Sequence, residues 1–551
     1  ARTGLITTAG FRDVLEFRRV RVPELYNLHY VKPKPLVPRS LRLEVRERLA
    51  SDGSVRVPLD EDTVRQAGER LKKEKVEAVA ICLLHAYANP AHERRIAEIL
   101  KGILPADVFV SCSHEILPEM REYERTSTTV VNAFLGPLMQ NYLASLRSRL
   151  QSLGIGGRLS IMQSNGSQMG VAAAIRKPAY LVESGPAAGV IAAARIAGQT
   201  GLNDVITLDI GGTTAKTAIV ENGLPTKTGE YEVGAGINLS SRLIKGAGYA
   251  IKLPFIDVSE IGAGGGSHVW FDKGGLLKVG PESAGSIPGP VCYGTGGERV
   301  TLTDALLTLG YINPHHLVGG ALKLKPDEAR AAVERQVGNL LDTSLPEAAL
   351  GVFRVAVANM VRAVKSVSTN RGRDPRGYTL IAFGGNGPVL AAAIAAELSM
   401  KRVVIPPFPG VLSGVGLLVS DHAHELVKAL PGLLRAIPGE RMADVFAELA
   451  HEAVSTLAAE GFVSAGVVTS RSVDVRYEGQ AFELTVPVVG NGTPDPGQIE
   501  AAFHAEHFKT YGHKAEGEPV ELVAIRVIAT VPSDELPERL AGWTSATDSG
   551  S

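Results

Sequence analysis

Cysteine, aromatic residues and net charge are all scarce in this sequence. Three cysteines in 551 residues (Cys82, Cys112 and Cys292) exclude a disulfide framework, and they lack the spacing of metal ligands. Such usage fits a reducing cytoplasm. Basic and acidic residues number 57 and 58, a net charge of −1. A chain that grips a nucleic-acid backbone carries a basic surplus, so no nucleic-acid partner is expected. The local basic stretches, 18–21 and 39–48, are mixed with Glu and apolar residues and read as a solvated face. No signal peptide opens the chain. The uncharged run at 403–420 approaches the ~20 residues of a membrane span. It carries three prolines and three glycines, so it reads as a buried strand, a loop and a short helix, with no membrane role. There is also no initiator Met. The chain opens on a strand-like stretch, Ala1 to Thr8, and is expected to begin inside a domain.

What is present is core material and glycine. Hydrophobic residues make up 45% and charged residues 21%, which excludes disorder as a global description. At roughly 150 residues per domain the length suggests two to four domains. The 60 glycines cluster inside apolar sequence, which implies tight turns and close backbone approaches.

Strand-like and helix-like stretches alternate from the start to about Leu150. The apolar run 79–84 has strand length and suggests a sheet covered on both faces. Helical patterns precede it (61–75) and follow it (90–101), an α/β alternation. A strand at 158–162 leads to the polar loop 163–167. Residues 184–189 then open a small-residue helix through 197. A second α/β block spans about 204–423. Residues 472–488 alternate through a turn at Glu478-Gly479 and read as a β-hairpin. A helix (496–511) and a strand (520–531) complete an expected separate α+β domain. The tail 544–551 is expected to be disordered. The expected domains are 1–200, 201–425 and 426–551.

Three glycine clusters carry the chemistry. Residues 205–220 read as strand, Gly-Gly turn, strand. Gly211 and Gly212 let the backbone turn sharply and bring amides close to an anion, and the Thr213 and Thr214 hydroxyls add donors. Asp209, at the strand end, is placed to hold a Mg²⁺-bound water or to act as a base. No Gly-Lys-Ser/Thr follows, so this is not a Walker loop. Residues 378–388 read as strand, glycine loop (Gly384, Gly385, Asn386, Gly387) and helix. Such a loop can lie flat against a nucleoside, and the helix start favours an anion. The third cluster, 257–268, has four glycines in five positions. Asp257, Glu260, Gly264, Gly265, Gly266 and His268, with Asp304 further on, form a candidate substrate or metal loop. A structural loop with solvated carboxylates is the plain alternative. Cys292 reads as a buried thiol rather than a nucleophile, because no His follows in a usable pattern.

Together the strings 6–19, 113–137, 161–167, 183–190 (ESGPAAGV), 209–216 (DIGGTTAK), 261–267 (IGAGGGS), 280–294, 302–314, 382–388 (AFGGNGP) and 408–418 resemble the hydantoinase A and 5-oxoprolinase family. The resemblance covers most of the chain in one order. It implies an α/β, actin-like (ribonuclease H-like) two-lobed ATPase fold with a C-terminal α+β domain. It also implies ATP and Mg²⁺ in the cleft, with 209–216 as the second phosphate hairpin and 384–388 as the adenosine loop. Asp209 and Lys216 would be catalytic. Lys216 stands where many relatives carry a carboxylate. The family's first Asp-x-Gly-Gly-Thr hairpin is absent, so part of the nucleotide cradle is expected to be missing.

The activity this implies is phosphorylation of a cyclic amide or imide carbonyl before ring opening. A hydantoinase B-type partner subunit would share the work, in a homo- or hetero-oligomer. An ATP-dependent ketone carboxylase subunit and a catalytically incomplete assembly subunit are the alternatives. A sugar kinase of the same superfamily explains only the Asp209 string.

Overall fold

A computed structural model of the chain describes residues 1–19, 26–234, 248–315, 317–463 and 466–533. Three sheets organise it. The first is parallel, in the order Arg42–Val45, Thr3–Thr8, Ala78–Cys82, Phe109–Cys112. Ala78–Cys82 is buried along its whole length, as a strand covered on both faces must be. Helix Glu61–Lys73 lies close to the expected 61–75. Asp60 caps it by accepting from the Asp62 and Thr63 amides, and its buried residues Val64, Ala67, Gly68 and Leu71 recur at helical spacing.

The basic stretches are a solvated face only in part: Arg39 and Arg46 are exposed, whereas Arg42 and Arg19 turn inward. Arg42 is 2% exposed and donates to the Val37 carbonyl and to Glu16. Arg19 pairs with Glu124 and Glu230. Mixing with Glu marked internal ion pairs here. Arg21 and the 544–551 tail lie outside the described residues.

The second sheet has six strands: Val258–Ile261 and the short Leu224–Pro225 both pair with Ala215–Glu221, and beyond it come Val205–Ile210, Thr379–Phe383 and Val403–Val404; only Ala215–Glu221 is antiparallel to the rest. Alternate residues serve its two faces. Ile206, Leu208 and Ile210 join the core around helix Leu345–Val367, whereas Val205, Ala218 and Val220 pack under helix Ser184–Gln199. Small residues give that helix its close neighbours. A Cβ on Gly416 of helix Leu412–Val419 would run into the Ala188 carbonyl. The 403–420 run thus holds the expected loop and short helix, but its strand, Val403–Val404, is an edge strand with Val403 exposed rather than a buried one. No described helix is long and apolar enough to cross a membrane.

The third sheet runs Leu484–Pro487, Val468–Tyr477, Val520–Val531, His422–Leu433, Gln168–Gly170, Ser160–Met162. The expected hairpin, helix (Pro496–Tyr511) and final strand are all present. The boundary at 425/426 falls inside strand His422–Leu433. Gln168–Gly170, expected with the first 200 residues, pairs with that strand at Gln168 and His422. A chain of charges crosses the same region. Arg526 holds Asp474 (2.7 Å), Glu119 (2.8 Å) and Glu425 (3.0 Å). Lys252 holds Glu119 and Glu483, and Glu483 continues to Arg121 at 2.6 Å.

Candidate functional site

The glycine clusters converge at one end of the second sheet, where Val205–Ile210 and the parallel Thr379–Phe383 finish. Crevices outside the carboxyl ends of parallel strands are where open α/β sheets bind ligands. Asp209 is the penultimate residue of its strand. Across the hairpin it opposes Lys216, and Lys216 opposes Glu260 on the next strand. Directly opposed residues share a face, so carboxylate, ammonium and carboxylate form a row. Lys216 Nζ lies 3.8 Å from Glu260 Oε1. Asp209 makes no ion pair or side-chain hydrogen bond among the described residues. Burial pushes its carboxyl above the ordinary value, against the opposing pull of Lys216.

The turn between the strands is open. The amides of Gly212, Thr213 and Thr214 and both threonine hydroxyls make no hydrogen bond among the described residues. Gly212 is exposed, and no atom lies within 4 Å of where its Cβ would be. Opposite stands the 384–387 loop. Gly384 has φ +78°, and a Cβ there would collide with the Asp209 carboxylate. Gly385 is exposed with open space above it. These groups form a donor-lined cradle that fits an anion.

Other expected residues build the cradle rather than face it. Asn386 donates its side-chain amide to the Gly211 carbonyl (3.1 Å) and its backbone amide to Ile210 (2.9 Å). Gly387 is buried against Leu208. Gly264, Gly265 and Gly266 are buried, not a solvent-facing substrate loop. The Gly265 amide donates to Gly211 (3.0 Å) and the Gly266 amide to Gly212 (2.6 Å). Thr303 donates to the Gly265 carbonyl through both its amide and its hydroxyl, each at 2.8 Å. Their lack of side chains lets one backbone lie against another; a Cβ on Gly264 would sit 2.8 Å from Gly212 and Thr213.

The remaining candidates lie elsewhere. Asp257 is ion-paired with Arg371. Asp304 is fully buried and completes a capping box with Thr301, and it also accepts from the Val291 and Cys292 amides. Neither carboxylate is free for substrate or metal. His268 bridges to Thr301, and burial with the nearby Arg299 holds its imidazole below the ordinary range. Cys292 is fully buried and its thiol is pushed up by burial and by Asp304, so it is no thiolate nucleophile. Among the described residues no group of three or more His, Cys, Asp or Glu could hold a metal ion.

One residue of the crevice was not singled out in the sequence. Glu183 precedes helix Ser184–Gln199 in the left-handed conformation (φ 63°, ψ 21°), and its side chain does not cap the helix. Its environment is set first by burial, then by Glu260, Lys216 and Tyr231, and its carboxyl is pushed up.

The family described as hydantoinase/oxoprolinase matches residues 125–426, and its N-terminal region matches residues 1–104. An uncharacterized protein of Methanocaldococcus jannaschii is 42% identical over 96% of this chain and 76% of its own length. The caprolactamase subunit alpha of Pseudomonas jessenii is 33% identical, over 98% of this chain and 76% of its own. The crystal structure of the ATP-dependent caprolactamase from that organism superposes with a TM-score of 0.82 at 32% identity, covering 97% of this chain and 77% of the other. A nucleotide-free acetone carboxylase structure gives 0.75 at 25% identity, over 97% and 77%.

Proposed function

This chain belongs to the hydantoinase/oxoprolinase family, and from that premise we propose that it is an ATP-dependent amidohydrolase subunit. Its reaction is phosphorylation of a cyclic amide or imide carbonyl before ring opening. Its fold is of the actin-like ATPase type, a reading supported by the sheet order with a single antiparallel strand, Ala215–Glu221. The observation that carries the functional reading is the cradle: unbonded amides at 212–214 and the open Gly385 flank a half-buried Asp209 that has no ion pair among the described residues.

Bound there, ATP supplies a phosphoryl group that turns a poor carbonyl electrophile into a reactive one. The 212–214 amides and threonine hydroxyls receive phosphate oxygens, and the start of helix Gly387–Glu397 adds its positive end. Gly384 and Gly385 leave a flat surface for the nucleoside. A lone carboxylate suits Mg²⁺, which keeps most of its waters and takes its other ligands from phosphates. Asp209 would orient one such water. Lys216, poised between Asp209 and Glu260, offers its charge to the transferring group.

The relatives named as subunits support work with a partner subunit, which in this reading is of the hydantoinase B type. The test is ADP release by the complex of this chain and its partner, with Mg²⁺-ATP and a panel of lactams, hydantoins, 5-oxoproline and ketones. Lactam- or hydantoin-dependent release with ring-opened product is expected. Release that requires a ketone and bicarbonate would replace this reading with that of a carboxylase subunit, as the acetone carboxylase likeness allows.

A further inference from the structure

Asp209, Lys216 and Glu260 cross the end of the second sheet as one row, set by strand register. Alternation along the strands fixes the side they take. Val205, Ala218 and Val258 pack under helix Ser184–Gln199. Asp209, Lys216 and Glu260 each lie an even number of residues from one of these, so all three share that face. The lysine therefore stands between two carboxylates. Directly opposed Cβ atoms are about 4.5–5.5 Å apart, and a lysine stem is four carbons long, so either carboxylate is within its reach. It takes Glu260: Nζ lies 3.8 Å from Glu260 Oε1, and Lys216 makes no ion pair with Asp209 among the described residues.

The strand that carries Glu260 is anchored around it. Ser259 is fully buried and accepts from the Ser366 hydroxyl (2.7 Å), which ties the strand to helix Leu345–Val367. Asp257, just ahead, is held by Arg371. Just beyond, the Ala263 amide donates to the Ile261 carbonyl (2.8 Å), and Gly264 bears on Gly212. Glu260 is thus a fixed point and Lys216 the mobile partner. Only 24% of the lysine side chain and 23% of the glutamate's is exposed, so water and salt screen their attraction incompletely. Asp209 is left with its carboxylate unclaimed by any ion pair, beside the unbonded amides of the turn.

Resting on the proposed ATP-dependent reading, we propose that Glu260 is a positioning residue that holds Lys216 away from Asp209. It thereby keeps the Asp209 carboxylate open to the hydrated cation that accompanies ATP. An ammonium on Asp209 would compete with that cation for the same oxygens, and Glu260 supplies the alternative partner on the far side of the lysine. Glu260 acts through Lys216. Its carboxylate is therefore part of the site although it is no ligand of the nucleotide.

The experiment titrates Mg²⁺ against binding of a fluorescent ATP analogue to the complete complex, a readout that needs neither acceptor nor turnover. Glu260→Gln keeps the size of the side chain and frees Lys216 to fall onto Asp209. It is expected to raise the Mg²⁺ concentration for half-maximal binding at least about tenfold. Adding Lys216→Met to the same chain should return that concentration to within about threefold of wild type, because the competing ammonium is gone. An increase that survives Lys216→Met marks a merely structural role and overturns the proposal. An unchanged Mg²⁺ requirement in Glu260→Gln overturns it as well. Should Glu260→Gln fold poorly, Glu260→Thr, neutral and suited to a strand, is read by the same two criteria. A wild-type complex that binds the analogue equally with and without Mg²⁺ fails the functional reading itself and takes the proposal with it. A Mg²⁺-dependent wild type with an indifferent Glu260→Gln overturns the role of Glu260 alone.

Discussion

Asp209 and Glu183 hold partly buried carboxylates without an ion pair among the described residues, Glu183 taking a hydrogen bond from Tyr231, and burial raises both above their ordinary values. A carboxyl raised on folding is protonated more readily in the native chain than in the unfolded one. It destabilises the fold once the pH exceeds its unfolded value, and the full penalty is reached above the folded value. Asp209→Asn should therefore abolish ATP turnover, by at least about 100-fold, yet melt no lower than wild type. Near neutral pH its Tm should be equal or higher, and the difference should shrink in acid. A variant that keeps turnover would place the site elsewhere. Asp209 was legible because Asp-x-Gly-Gly-Thr ties its carboxylate to a turn. Glu183 was not: its meaning lies in a dihedral angle and in strands that approach it from elsewhere in the chain.

At the scale of elements, the site is three backbone segments stacked through glycine. The 262–267 loop was legible as unusual, but its role was not. A run of glycines signals close approach without saying whether a ligand or another strand does the approaching. Here Gly264 meets Gly212. Gly264→Ala should push the hairpin out of place, at a stability cost of about 1–3 kcal/mol. Nucleotide affinity should fall at least about tenfold, read by titration with a fluorescent ATP analogue. Asp304 belongs to the same scale. Asp304→Ala removes a cap and strands the buried Val291 and Cys292 amides, for a loss of about 2–4 kcal/mol in denaturant unfolding. The KM for the acceptor in the folded fraction should not move. A selective rise in KM would return Asp304 to the substrate site.

Across the whole molecule, the periodic elements were legible and their assembly was not. Helix 496–511 and strand 520–531 fall where residue patterns put them. The join between Gln168 and His422 depends on contacts far apart in sequence, which local periodicity cannot register. The charge chain is equally nonlocal. Arg526 is held protonated by Asp474, Glu119 and Glu425, against the effect of its burial. Arg526→Ala leaves three carboxylates facing one another with little water, at a cost of about 3–5 kcal/mol. Because the pair is buried, added salt should restore little of the loss in Tm. Full restoration by salt would show the cluster to be solvated.

The third sheet also sets an order of events in synthesis. Its outer hairpin, 160–170, leaves the ribosome early. His422–Leu433, the strand it joins, follows much later, and Val520–Val531, which lies in the middle of the sheet, later still. Until that middle strand arrives, His422–Leu433 offers an unpaired edge and Val468–Tyr477 has no partner on its inner side. Nascent chains of this protein therefore carry exposed strand edges until residues 520–531 have been made, the condition under which a growing chain is most prone to pair with its neighbours.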